Sequence, residues 1–74
     1  MNKQRKEKIR KCALEIEIII NKLSNLLDEE QDYYDNMPEN LQCSVRGNES
    51  EEAIDVLNES IDDLNNIIER IDEI

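Results

Sequence analysis

Ser50–Ile74 reads SEEAIDVLNESIDDLNNIIERIDEI, and this stretch decides the fold. Ile54, Leu57, Ile61, Leu64, Ile68 and Ile71 recur at alternating steps of three and four, which puts them on one stripe of an α-helix. Ala53, Ile67 and Ile74 sit beside that stripe and widen it. Asp55, Glu59, Asp62, Asp63, Glu69 and Glu73 fall on the opposite side. The rod so defined has a dry edge and an acidic edge.

A second amphipathic stretch lies upstream. Ile9, Cys12, Ala13, Ile16, Ile19, Ile20, Leu23, Leu26 and Leu27 occupy three positions of every seven, and the phase survives through the acidic DEEQD segment to Tyr33, Tyr34 and Met37. Such a three-wide face suits a bundle of several helices better than a two-stranded zipper. The spacing predicts a first helix over about residues 3–34. Cys12 falls inside the apolar face and reads as a small buried hydrophobe. Leu14 and Ile18 lie off the face, one turn apart, as either incidental surface residues or a second contact spot.

Between the two stretches the sequence turns. Asp35 and Asn36 precede Pro38, and the residue before a proline avoids the α region. Residues 38–43 can form a short helix with Pro38 in the first-turn position it tolerates. Gly47 is expected to break the chain, and Asn48 or Ser50 to cap the second helix, with Asn48-x-x-Glu51 fitting a capping box. These signals put the second helix at about 49–73 and the connection at 35–48.

The expected architecture is therefore all-α: one domain over residues 1–74, an antiparallel helical hairpin. A chain this short buries only about 60% of the surface that its unfolded form exposes. A lone hairpin also leaves part of each wide stripe wet. Two hairpins closing a four-helix bundle, as a homodimer, is the leading expectation, with the short helix covering one end as the rival.

Charge is unevenly distributed. The chain holds 9 Lys+Arg and 19 Asp+Glu, a formal net of −10. Residues 1–11 carry six cations against Glu7, a local net of +5, and the other 63 residues carry a net of −15. In an antiparallel hairpin the basic start of the first helix lies beside the acidic end of the second, which favours that register. The longest apolar run, Ile18–Ile20, is far too short to span a membrane, and nothing reads as an export signal, so the cytoplasm of whatever cell makes the chain is the expected location. Cys12 and Cys43 are separated by the length of a helix and are a poor disulfide pair.

Little in the chain points to catalysis. It has no His, no glycine-rich phosphate loop and no CxxC. Carboxylates on a solvated helix face do no acid–base work. Asp28-x-Glu30-x-Asp32 resembles the opening of a calcium loop but lacks the turn glycine and lies in helical phase. No enzyme, cofactor or metal is expected.

Three surfaces remain as candidates for binding. The first is the carboxylate row Asp55, Glu59, Asp62, Asp63, Glu69 and Glu73, which can occupy a basic nucleic-acid groove on another protein. A net of −10 exceeds the roughly 2–8 charges that solubility asks of a small domain. The second is the turn end, where Tyr33, Tyr34 and Asp35 combine aromatic rings with charge; alternatively, Tyr33 and Leu41 close the core there. The third is the basic N-terminus, Lys3, Arg5, Lys6, Lys8 and Arg10, which suits phosphates in the manner of a Rop-like RNA-binding dimer. No aromatic is interleaved there for base stacking, so direct contact with nucleic acid is the weaker expectation.

Asp35-Asn36-Met37-Pro38-Glu39-Asn40-Leu41-Gln42, then Arg46-Gly47, then Ala53-Ile54-Asp55-Val56-Leu57 resemble the pattern of small acidic proteins of bacteriophages and prophages of Gram-positive bacteria. The resemblance covers about residues 28–64. It implies a setting in which small acidic proteins inhibit host enzymes or defence systems, and it assigns no functional residues. The expected function is thus a phage-type inhibitor that binds a host protein with a basic surface, such as a defence or nucleic-acid-processing factor. The alternatives are a structural or regulatory bundle without mimicry, and the RNA-binding dimer.

Overall fold

A computed structural model describes residues 1–74. It contains α1 (Lys3–Asp35), α2 (Glu39–Gln42) and α3 (Val45–Asp72), with no strand. The chain is all-α, and no helix is long and apolar enough to cross a membrane.

Each helix end follows from local chemistry. At the start of α1 the Asn2 side chain accepts a hydrogen bond from the Arg5 backbone N–H at 2.7 Å, which satisfies one of the donors a helix start leaves free. Asn36 closes the other end, its side-chain amide donating to the Asp32 carbonyl at 2.8 Å. Pro38 lacks the N–H to continue the helix. Its carbonyl instead accepts from Leu41 and Gln42 at 2.9 and 3.0 Å and starts α2. The Gln42 side-chain amide donates to the Tyr34 carbonyl at 3.0 Å, tying α2 back onto the end of α1.

The start of α3 corrects the sequence reading. The helix begins at Val45 rather than near residue 49, and Ser44 caps it instead of Asn48 or Ser50. The Ser44 hydroxyl donates to the Leu41 carbonyl and accepts from the Gly47 N–H at 3.4 Å. Gly47 does not break the chain. It lies in the first turn of α3, buried, where an added Cβ would run into the backbone of Gln42. Glycine is needed there for close approach of α2, since its φ is not positive. The connection accordingly shortens to residues 36–44.

The two long helices fold back as an antiparallel hairpin measuring 58 × 15 × 12 Å. Its radius of gyration is 17.1 Å, where a compact chain of this length gives about 11 Å. The core is a single seam. Ala13 and Ile20 of α1 and Ile54 and Ile68 of α3 are buried. Ile9, Ile16, Leu23, Leu27, Leu57, Ile61, Leu64 and Ile71 are half-buried along the same line. Ser50, 3% exposed with its hydroxyl unbonded, occupies a seam position close to the turn.

The three-wide face expected for α1 is therefore only two wide in the hairpin. The third lane, Cys12, Ile19, Leu26 and Tyr33 at strict seven-residue spacing, lies outside. Ile19, Leu26 and Tyr33 are 48%, 53% and 47% exposed. Cys12 is a free, exposed thiol and not a buried hydrophobe. The reason is geometric: one partner helix about 8–10 Å away covers two positions in seven, and a third lane needs a second layer.

Candidate functional site

The six carboxylates of the acidic row, Asp55, Glu59, Asp62, Asp63, Glu69 and Glu73, are all exposed on the outer side of α3. From Asp55 to Glu73 the row runs about 27 Å at 1.5 Å per residue. It forms because the apolar seam fixes which side of α3 faces α1, leaving these positions on the far side. Asp55, Asp62 and Glu69 are seven residues apart and stack along one line of that side. Arg70 interrupts the negative field near its end.

The hairpin sorts charge along its length more sharply than the linear sequence suggests. Residues 28–59, which fold around the turn, carry eleven carboxylates and the single cation Arg46, a net of −10. Residues 1–27 and 60–74 make up the open half and balance to zero, eight cations against eight carboxylates. The whole formal charge of the protein thus resides at its turn half.

At the turn, the pair of tyrosines divides. Tyr33 is exposed and lines a shallow cleft with Asn36, Met37, Pro38, Leu41 and Arg46. Leu41 is also exposed, so neither Tyr33 nor Leu41 closes the core. Tyr34 and Met37 are the half-buried residues there. Asp35 is exposed and accepts from the Gln31 side chain at 3.0 Å. Sequence reasoning did not single out Arg46 as a site residue, though it lines the same cleft as Tyr33 in the most acidic part of the molecule. The isolation of that cation between acidic runs was the available signal.

Partial burial, and then the charge of the Glu51 carboxylate, which also offers the phenol an acceptor, raise the Tyr34 pKa above the ordinary tyrosine value; Cys43 and Asp35 act in the same direction. The unfolded chain therefore gives up this proton first as pH rises. The neutral phenol's contribution to stability is intact below about pH 10 and is lost as pH climbs through the raised folded value. Tyr34→Phe is expected to flatten that alkaline loss. The check is thermal unfolding by circular dichroism between about pH 8 and 11; equal slopes for both proteins would show that Tyr34 is not the group responsible.

At the open end, Lys3, Arg5, Lys8 and Arg10 are exposed and Lys6 is half-buried. Arg10 shares a cleft with Ala13, Leu14 and Glu17 of α1 and with Ile68 and Asp72 of α3. The basic start of α1 does lie against the acidic end of α3. Leu14 and Ile18 are 59% and 54% exposed, on the outer side of α1. Asp28, Glu30 and Asp32 sit on α1, where residues two apart turn by about 200° and project away from each other. No three His, Cys, Asp or Glu side chains converge to hold a metal ion.

The arrangement offers ion pairing and shallow apolar contact. Comparison of the chain with protein-family models, with curated proteins and with solved structures finds no match.

Proposed function

We propose that this protein binds a basic surface of another protein and inhibits it, with the outer carboxylates of α3 as the main contact. On this reading it is not an enzyme, and it needs no cofactor. The resemblance of residues 28–64 to small acidic phage and prophage proteins gives the partner its class: a host defence or nucleic-acid-processing factor whose phosphate-binding groove the rod occupies. The observation that carries the reading is the exposure of Asp55, Glu59, Asp62, Asp63, Glu69 and Glu73 along one side of α3 and its C-terminal cap. Carboxylates in such a row present negative charge to lysines and arginines much as a phosphate backbone does.

A second reading has the apolar lane of α1 as the contact. Ile19 and Leu26, each about half exposed on a protein this small, favour it. We take that lane as the place where two hairpins pair into a four-helix bundle, so that the apolar surface serves assembly and the acidic surface serves the partner. The RNA-binding reading has less behind it. Glu17 and Asp72 share the cleft of Arg10 and offset its attraction for phosphate.

Capture on the immobilised protein from a Gram-positive lysate, in the presence and absence of duplex DNA, tests the proposal. The expected partner is a nucleic-acid-binding protein that DNA displaces, and that is released as salt rises from about 0.05 to 0.5 M, where the Debye length falls to a few ångströms. A partner that withstands high salt and ignores DNA would overturn the mimicry. Labelled RNA retained by the protein, and lost when Lys6 and Arg10 are neutralised, would put the RNA-binding reading in its place.

A further inference from the structure

The exposed lane of α1 does not stand alone. Around α3, Ile67 and Ile74 flank the seam and are exposed by 40% and 49%. Helical geometry turns the α1 lane and Ile67 of α3 to the same side of the hairpin, away from the side where Arg10, Glu17 and Asp72 share a cleft, and Ile74 follows the last turn of α3. An apolar lane thus runs along this face of the rod for about 31 Å, from Cys12 to Tyr33. The molecule also exposes 5921 Å², where a compact monomer of its mass exposes about 4,700 Å². The surplus, about 1,200 Å² over the whole rod, exceeds the roughly 800 Å² that one partner contributes to a standard protein–protein interface, so there is surface enough for one. A second copy of the chain is the occupant that this face fits, because it brings the same long apolar flank.

Charge then decides how the second copy lies. Side by side with turn ends together, the two turn halves would bring a net of −10 against −10. Turned end for end, each acidic turn half lies along the partner's open half, which is neutral overall and tipped with Lys3, Arg5, Lys8 and Arg10. We infer that two hairpins pair antiparallel through this face, turn end against open end, about a two-fold axis that passes between the two copies at the level of Lys22 and Leu23 of α1. The inference rests on the pairing proposed above and adds its orientation. It sets Ile19 against Leu26 of the second copy and Cys12 against Tyr33 of the second copy. It also places one acidic turn end at each end of the assembly, and leaves the two α3 carboxylate rows as identical contacts for basic partners.

Crosslinking reads the orientation directly. In a protein carrying Tyr33→Cys and Cys43→Ser, the native Cys12 and the introduced thiol are about 31 Å apart along their own helix and cannot bond within a chain. Mild oxidation is expected to yield a disulfide-linked dimer as the main product, and adding Cys12→Ser to abolish it. Ile19→Cys with Leu26→Cys, in a background with both native cysteines replaced by serine, gives the same readout nearer the axis if position 33 tolerates no change. Solution mass of the unmodified protein runs alongside, with twice 8.7 kDa expected. A dimer that forms neither crosslink, or that links position 33 to itself, overturns the antiparallel orientation while leaving pairing in place. A monomer at all concentrations removes the pairing and the orientation together.

Discussion

Ile20→Ala is expected to lower unfolding free energy by about 2–4 kcal/mol, while Ile19→Ala, one residue away, costs less than about 1 kcal/mol in the isolated hairpin. The residue types are identical and the helix propensities cancel, so only position differs. Ile20 is 8% exposed in the seam and Ile19 48% exposed on the open lane. Removing Ile20 loses both transfer free energy and packing, in a domain whose whole stability is about 4–11 kcal/mol by the usual per-residue scale. At roughly 4–8 °C per kcal/mol, the midpoint of thermal unfolding should fall by about 10–25 °C. Urea unfolding at several protein concentrations separates the two residues further. The Ile20→Ala loss should be present at every concentration, whereas any cost of Ile19→Ala should grow as paired molecules accumulate. Equal losses from both variants, independent of concentration, would mean that the open lane is part of a monomer core.

Reversing Asp55, Asp62 and Glu69 to lysine together should weaken partner binding by two to three orders of magnitude at about 0.1 M salt, about 3–4 kcal/mol. Each reversal removes an attraction and adds a repulsion at one line of α3, and together they move the formal net charge from −10 to −4. The fold should tolerate them. All three side chains are exposed, lysine is at least as good a helix former as aspartate, and a cation at position 69 complements the end of the helix. Helicity by circular dichroism should stay unchanged while binding, measured by calorimetry or surface capture, collapses. Undiminished affinity in a folded triple variant would show that the carboxylate row is not the contact surface. Attention would then shift to the turn end, where Tyr33 and Arg46 line a cleft that these changes do not touch.

The parts of the fold that sequence made readable are those set by short-range periodicity. The alternation from Ile54 to Ile71 is strict, so the seam side of α3 and the exposure of its carboxylates follow from it. On α1 the same periodicity marks a third lane that the hairpin leaves uncovered, as a lone hairpin must, because an isoleucine reports its own aversion to water and not the number of helices available to cover it. Cys12 went with that lane. At the start of α3, Gly47 carries a local signal for a break, while its actual role depends on Gln42, a residue from a different helix that approaches it in space. Ser44 was overlooked for the same reason, since its hydroxyl bridges the ends of two helices. A binding partner lies further out of reach: complementarity belongs to two surfaces, and only one is written here.

The corner at Tyr34, Gln42, Ser44 and Gly47 also sets the order of events in folding. It joins the two long helices through only nine residues, with Gln42 bonded to the end of α1 and Ser44 to Leu41 of α2, so contacts next to it close the smallest loops and form at the least entropic expense. Pairing then advances like a zipper toward Ile9 and Ile71, each new contact closing a loop already mostly closed. Assembly of this kind is fast for the length of chain. Its mirror image is that opening starts at the termini, so the cationic start of α1 and the last turn of α3 exchange their amide hydrogens long before the corner does.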